Sequence, residues 1–191
     1  MGTQLSWLPV YLGHGASGNA ESMRPYVRGL VERGLEAFTI PATGKLPMPA
    51  RRAVAVVSAT TGGRADVVLG GHSYGGRVAS MVAAESGCAG LVLFSYPLHR
   101  PGHPDELRVE HWPQIDCPVL LLSGEADGFS RLDLLREAVK LLPDARLVTY
   151  PHVGHGLHRN AAVFADALDR TAAFVKGLHG RTEGEASAPV S

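Results

Sequence analysis

The chain has 191 residues, a length that fits one domain and leaves room to bury roughly 70% of the unfolded surface. Hydrophobic residues make up 45% and charged residues 19%, an ordinary globular composition that argues against global disorder. Eighteen basic residues balance eighteen acidic ones, so the formal net charge is zero; nothing in that balance marks a partner such as nucleic acid or an anionic membrane. No apolar run reaches the roughly 18 residues of a membrane span. Met1–Ser6 has neither the basic start nor the apolar stretch of a signal peptide, and a cytoplasmic location is expected. Cys88 and Cys117 are too few for a disulfide scaffold and lack zinc spacing, so they are expected to be free thiols in a reducing compartment. The nine histidines are scattered and form no H-E-x-x-H, so no metal site is expected.

In chain order, short apolar runs alternate with helical patterns. Leu8–Leu12 reads as a buried strand ending at Gly13-His14-Gly15. A helix is expected over about residues 23–33, with Val27, Leu30 and Val31 inward and Gly34 as its stop. Glu36–Ile40 is the next strand, and Thr43–Pro49 a loop punctuated by Pro and Gly. Residues 50–60 fit helix or strand and are read as helix, because a crossover is needed before the next strand. Asp66–Gly70 is a strand running into Gly71-His72-Ser73-Tyr74-Gly75-Gly76, followed by a helix with Val78, Met81 and Val82 inward and ended by Gly87. Leu91–Phe94 is a strand, and residues 95–117 form a long Pro-rich irregular segment, a type of loop that is usually functional. After the strand Val119–Leu122, a helix is expected to begin at Ser130, with Asp133 completing a capping-box variant. Leu147–Tyr150 is the last strand, and the last helix spans about residues 160–177. The domain is drawn over residues 1–178, and residues 179–191, rich in Gly, Ser, Glu and Pro, read as a disordered tail.

Strands alternating with helices imply an α/β fold: a three-layer α/β/α sandwich on a mostly parallel sheet of about six strands. Ligands of such sheets bind beyond the carboxyl ends of the strands. There the sequence places a G-x-S-x-G between a strand and a helix, the context of a nucleophile elbow at Ser73. A serine hydroxyl is a poor nucleophile alone and needs a base to take its proton. The acid and the histidine should follow in that order, each after a strand. Asp127 occupies the acid position, with Glu125 as its rival. His155, between two glycines after the last strand, is the expected base; His152 and His158 compete with it. The oxyanion of acyl transfer needs two backbone N–H donors. Tyr74, after the nucleophile, and Ala16, in the Gly-rich loop after the first strand, are the candidates. His14, His72, His99, Trp112 and Phe129 are candidates for the substrate pocket. The segment beginning at Ser95 leaves a carboxyl end of the sheet, so either His99 lines the pocket or it anchors the loop through its backbone.

Together these residues resemble the α/β-hydrolase superfamily over about residues 5–178. Ser95-Tyr96-Pro97-Leu98-His99, followed by Pro101-Gly102 and Leu107-Arg108, resembles the small hydrolase-like branch close to dienelactone hydrolases. That branch includes testis-expressed hydrolase-like proteins and a hydrolase-like subunit of a histone-acetyltransferase complex. The resemblance implies a minimal hydrolase fold without a cap domain, a triad of Ser73, Asp127 and His155, and no cofactor. It implies a small-molecule acyl substrate, most simply a carboxylic ester. A catalytically silent interaction module on the same fold and an acyltransferase are the alternatives.

Overall fold

The computed structural model describes residues 7–41 and 50–186. The loop expected over Thr43–Pro49 lies outside the described residues. The apolar runs become β1 (Val10–Gly13), β2 (Ala37–Thr39), β3 (Val68–His72), β4 (Gly90–Phe94), β5 (Val119–Gly124) and β6 (Ala145–Tyr150). They pair in the order β2-β1-β3-β4-β5-β6, every pair parallel. Between them run α1 (Arg24–Val31), α2 (Ala50–Thr61), α3 (Tyr74–Ser86) and α4 (Leu132–Ala138), and α5 (Ala161–Ala186) follows β6.

Successive side chains of the central strands enter opposite layers, as the two-residue period of a strand requires. Leu91 and Leu93 of β4 join Val78, Val82 and Leu135 on one face. Val92 and Phe94 join Met23, Tyr26, Leu30, Leu168 and Val175 on the other. Helices α2, α3 and α4 therefore cover one face and α1 and α5 the other, which gives the expected three layers. The strand order reverses beside β1: the chain first steps outward to β2, then crosses back to β3. The carboxyl ends of β1 and β3 thus flank a topological switch point, where open α/β sheets form their ligand crevice. From Ser95 to the start of β5 the chain forms a loop with one short 3-10 turn, Trp112–Gln114, and no cap domain.

Three expectations are corrected. In α1 Leu30 is buried and Val27 packs against the same core as expected, but Tyr26 and Gly29 complete the buried stripe and Val31 is 52% exposed. A 3-10 turn, Ala20–Met23, precedes the helix and turns the apolar stripe toward Tyr26, whose ring meets Phe94 and Phe164 edge-on at 5.0 and 4.7 Å. The capping box at Ser130 does not form. Helix α4 starts one residue later, after Arg131, without a side-chain cap, and Asp133 pairs with Arg131 instead. Helix α5 passes the expected end at 177 and the boundary at 178, running through Gly180 and Gly184 to Ala186. Leu178 is its last residue described as buried. The part of the expected tail over 187–191 lies outside the described residues.

Candidate active site

The site is built on the β3–α3 junction. Ser73 has φ 53° and ψ −117°, a left-handed conformation that costs a non-glycine residue on the order of 1–3 kcal/mol. The surroundings hold it there. Its N–H donates to the Phe94 carbonyl (2.9 Å) and its carbonyl accepts from the Arg77 N–H (3.1 Å). The glycines on either side are forced by space. A Cβ on Gly71 would lie 2.8 Å from the carbonyl carbon of Gly75. One on Gly75 would lie 2.8 Å from the Gly13 Cα and closer still to its carbonyl. Real Cβ atoms do not approach backbone so closely.

Beyond β5, Asp127 sits in a loop that is clipped to the loop after β6. Glu125 N–H donates to the Tyr150 carbonyl (3.0 Å) and Ala126 N–H to the Val153 carbonyl (2.9 Å). The Asp127 side chain is fully buried; Oδ1 accepts from the Phe129 N–H at 2.8 Å. His155 Nδ1 lies 3.0 and 2.8 Å from the two carboxylate oxygens, and Nε2 lies 2.7 Å from Ser73 Oγ. A carboxylate only accepts, so Nδ1 carries the proton and the Nε2 lone pair faces the serine hydroxyl. The three side chains therefore form one hydrogen-bonded line. The rivals are elsewhere. Glu125 accepts from Thr149 Oγ1 (2.8 Å). His152 is exposed, with φ 62°. His158 lies in a 3-10 turn, Leu157–Arg159, rather than in α5.

An open cavity of about 640 Å³ lies over Ser73 and His155, walled by Gly15, Ala16, His72, Phe129 and His158. The Phe129 ring centre is 4.4 Å from that of His155. His72 Nε2–H donates to the His155 carbonyl at 3.1 Å, and burial depresses its pKa to about 4. It is thus a neutral imidazole at pH 7. Tyr26 is a residue that sequence reasoning did not place here, and His158, weighed there only as a rival base, is a wall of the cavity. The Tyr26 hydroxyl, whose pKa burial raises, shares a hydrogen bond of 3.2 Å with His158 Nδ1. No local signal in the sequence joins residues 132 positions apart.

The remaining pocket candidates are corrected. His14 donates from Nδ1 to the Gly15 carbonyl (2.8 Å) and borders a separate small hollow with Ile40, Tyr74 and Val78. His99 is 2% exposed. Its Nδ1–H donates to the Arg100 carbonyl (2.9 Å) and its Nε2 accepts from the Arg131 N–H (3.1 Å). Both ring nitrogens are occupied by backbone, so His99 anchors the loop and does not line the cavity. Trp112 is fully buried in the core beside Val78 and Val82, with its ring 5.0 Å from that of Tyr96. Burial of its large apolar surface holds it against α3. Among the described residues no group of His, Cys, Asp and Glu is arranged to hold a metal ion, and no helix is long and apolar enough to cross a membrane.

Residues 42–176 match the family model described as an alpha/beta hydrolase domain. The chain belongs to this family. Solved structures share its fold at low identity. A monoacylglycerol lipase of Paleococcus ferrophilus is 14% identical, with a TM-score of 0.76 over 89% of this chain and 94% of the lipase. The protein Rv0554 of Mycobacterium tuberculosis is 16% identical, with a TM-score of 0.75 over 88% and 91% of the two chains. Est1E of Butyrivibrio proteoclasticus, solved with ferulic acid bound, is 13% identical, with a TM-score of 0.68 over 89% and 90%. At such identities the likeness is one of fold. In this hydrolase domain the cavity lies where the fold puts its loops together, at the carboxyl ends of β1, β3, β5 and β6.

Proposed function

We propose that the protein is a serine hydrolase that cleaves a small carboxylic ester through an acyl-enzyme. The observation that carries this reading is the unbroken hydrogen-bonded line from the buried Asp127 through His155 to Ser73 Oγ. In this reading Ser73 Oγ attacks the carbonyl carbon while His155 Nε2 takes the hydroxyl proton. Asp127 holds the ring in the tautomer that leaves Nε2 basic, and it stabilises the imidazolium that forms. The Tyr74 N–H at the start of α3 and the Ala16 N–H in the β1 loop serve the developing oxyanion, where fixed dipoles count most. His155 then protonates the leaving alcohol. Water enters, gives its proton to the same nitrogen and releases the acid, restoring Ser73. The protein needs no cofactor for these steps.

The substrate is small or soluble, in this reading. The cavity is open, the described residues build no cap over it, and Ser17, His72 and His158 give it a polar wall beside the Phe129 ring. The Ser95–His99 segment supports placing the chain in the branch near dienelactone hydrolases and the testis-expressed hydrolase-like proteins. The test pairs a fluorophosphonate probe with a panel of short-chain p-nitrophenyl esters, on wild type and Ser73→Ala. Labelling and turnover in wild type, both lost in Ser73→Ala, are expected. An unlabelled wild type, or a variant that keeps more than about a tenth of the activity, overturns the assignment.

A further inference from the structure

At the opposite edge of the sheet, two thiols meet. Cys88 follows α3 and precedes β4; Cys117 precedes β5. The parallel pairing of these strands sets them side by side: Leu91 pairs with Val119, and the Leu91 N–H donates to the Pro118 carbonyl at 2.9 Å. The sulfurs are 3.5 Å apart. Both residues are half-buried, and a surface notch of about 380 Å³, bordered by Gly87, Gln114 and Asp116, opens onto them. The proposed hydrolytic reaction uses neither.

We infer that Cys88 and Cys117 are a redox-active dithiol that closes reversibly to an intramolecular disulfide by exchange with a low-molecular-weight disulfide such as glutathione disulfide. The geometry asks little. Side-chain rotation brings two sulfurs already in contact to bonding distance, while the β4–β5 ladder holds the backbone still. The two sulfurs share one hydrogen bond that either S–H can donate, and the Cys88 Sγ also lies 3.3 Å from the Gly90 carbonyl. The thiolate and not the thiol attacks. In the exchange Cys88 attacks as its thiolate. Its sulfur forms a bond to one sulfur of the oxidant, breaking the oxidant S–S bond and expelling one thiolate. Cys117 then loses its proton to solvent, bonds to the Cys88 sulfur and expels the second glutathione thiolate. Two protein thiols lose two electrons in all, and one glutathione disulfide becomes two glutathione thiols. The closed bond encloses β4 and the loop that carries His99 and Trp112, so it restrains that loop in the unfolded chain and stabilises the fold.

The test uses the intact protein and reads mass, not hydrolysis, so its outcome is independent of the proposed activity. Wild-type protein is equilibrated in glutathione buffers of graded oxidation, quenched with N-ethylmaleimide and weighed. The expected product has lost two hydrogens, takes up no maleimide, retains no glutathione and returns to the dithiol with dithiothreitol. Cys117→Ser is expected to stop at a mixed disulfide with one glutathione, and Cys117→Ala does the same should the serine variant fail to fold. The melting temperature of the closed form is expected to rise by roughly 5–15 °C. A wild type that stays a dithiol, accumulates the mixed disulfide or links two chains overturns the inference. A fall in melting temperature on closure also overturns it, since the native geometry would then have to break for the bond to form.

Discussion

Gly75 in the first turn of α3 lies against Gly13 at the end of β1, so closely that a Cβ on Gly75 would come within 2.8 Å of the Gly13 Cα. This contact brings the β1 loop, with Ala16, to the same crevice as Ser73. Backbone cannot yield as a side chain tip can. Gly75→Ala is therefore expected to cost about 3 kcal/mol or more and to lower the melting temperature by about 6–12 °C. Fluorophosphonate labelling should fall with it even in the folded fraction, because the wedge moves β1 away from the elbow. Calorimetry and labelling at a temperature where the variant is folded check both parts. An unchanged melting temperature would show that the two elements separate freely.

Asp127 receives the His155 N–H on two oxygens and the Phe129 N–H on one. Asp127→Asn keeps the size but offers an N–H where His155 already donates, which favours the wrong histidine tautomer. Ester turnover is expected to fall on the order of 10⁴-fold, with the substrate KM changed far less than kcat. Steady-state kinetics decide this, and a loss under tenfold would argue that Asp127 does not orient the base.

His72 should leave a signature in stability against pH. Burial holds its folded pKa at about 4, against about 6.5 in an unfolded chain. Between these values the unfolded chain binds the proton and the folded chain does not. The contribution is therefore complete above pH 6.5, is lost as the pH falls toward 4 and is constant below. Its size is about 3 kcal/mol. His111 and His158, also lowered by burial, act with the same sign, so the informative quantity is a difference. His72→Gln retains a donor for the His155 carbonyl but does not titrate. Denaturant unfolding from pH 7 to 4 should show wild type losing about 3 kcal/mol relative to the variant, whatever their difference at pH 7; parallel curves would refute the prediction.

For His99, the two backbone bonds predict a structural effect. His99→Ala leaves the Arg131 N–H and the Arg100 carbonyl without their partner, at about 1–3 kcal/mol each when buried. The melting temperature is expected to fall by about 4 °C or more, while the ranking of ester substrates by kcat/KM stays as in wild type. A changed ranking at constant melting temperature would return His99 to the substrate pocket.

By itself the sequence determined the alternation of strands and helices and the chain order of the loops at one sheet edge. Both are local: the short apolar run Leu91–Phe94, the tight Gly71–Gly75 turn and the glycines around His155 carry their meaning within a few residues. Parallel pairing then sends each strand's carboxyl end to the same side, so Ser73, Asp127 and His155 could be read together before any distance was known. Tertiary structure alone decided which side chains share a cavity. His99 and Trp112 stand in the loop after β4, as expected, yet His99 turns to the backbone of Arg100 and Arg131 and Trp112 goes under α3. In both cases the direction depends on neighbours distant in sequence. The same holds for Tyr26 and His158, and for Cys88 and Cys117. A residue's position along the chain fixes the edge of the sheet it reaches, whereas its direction from that edge is set by burial and by unpaired donors and acceptors on elements that meet only in the folded molecule.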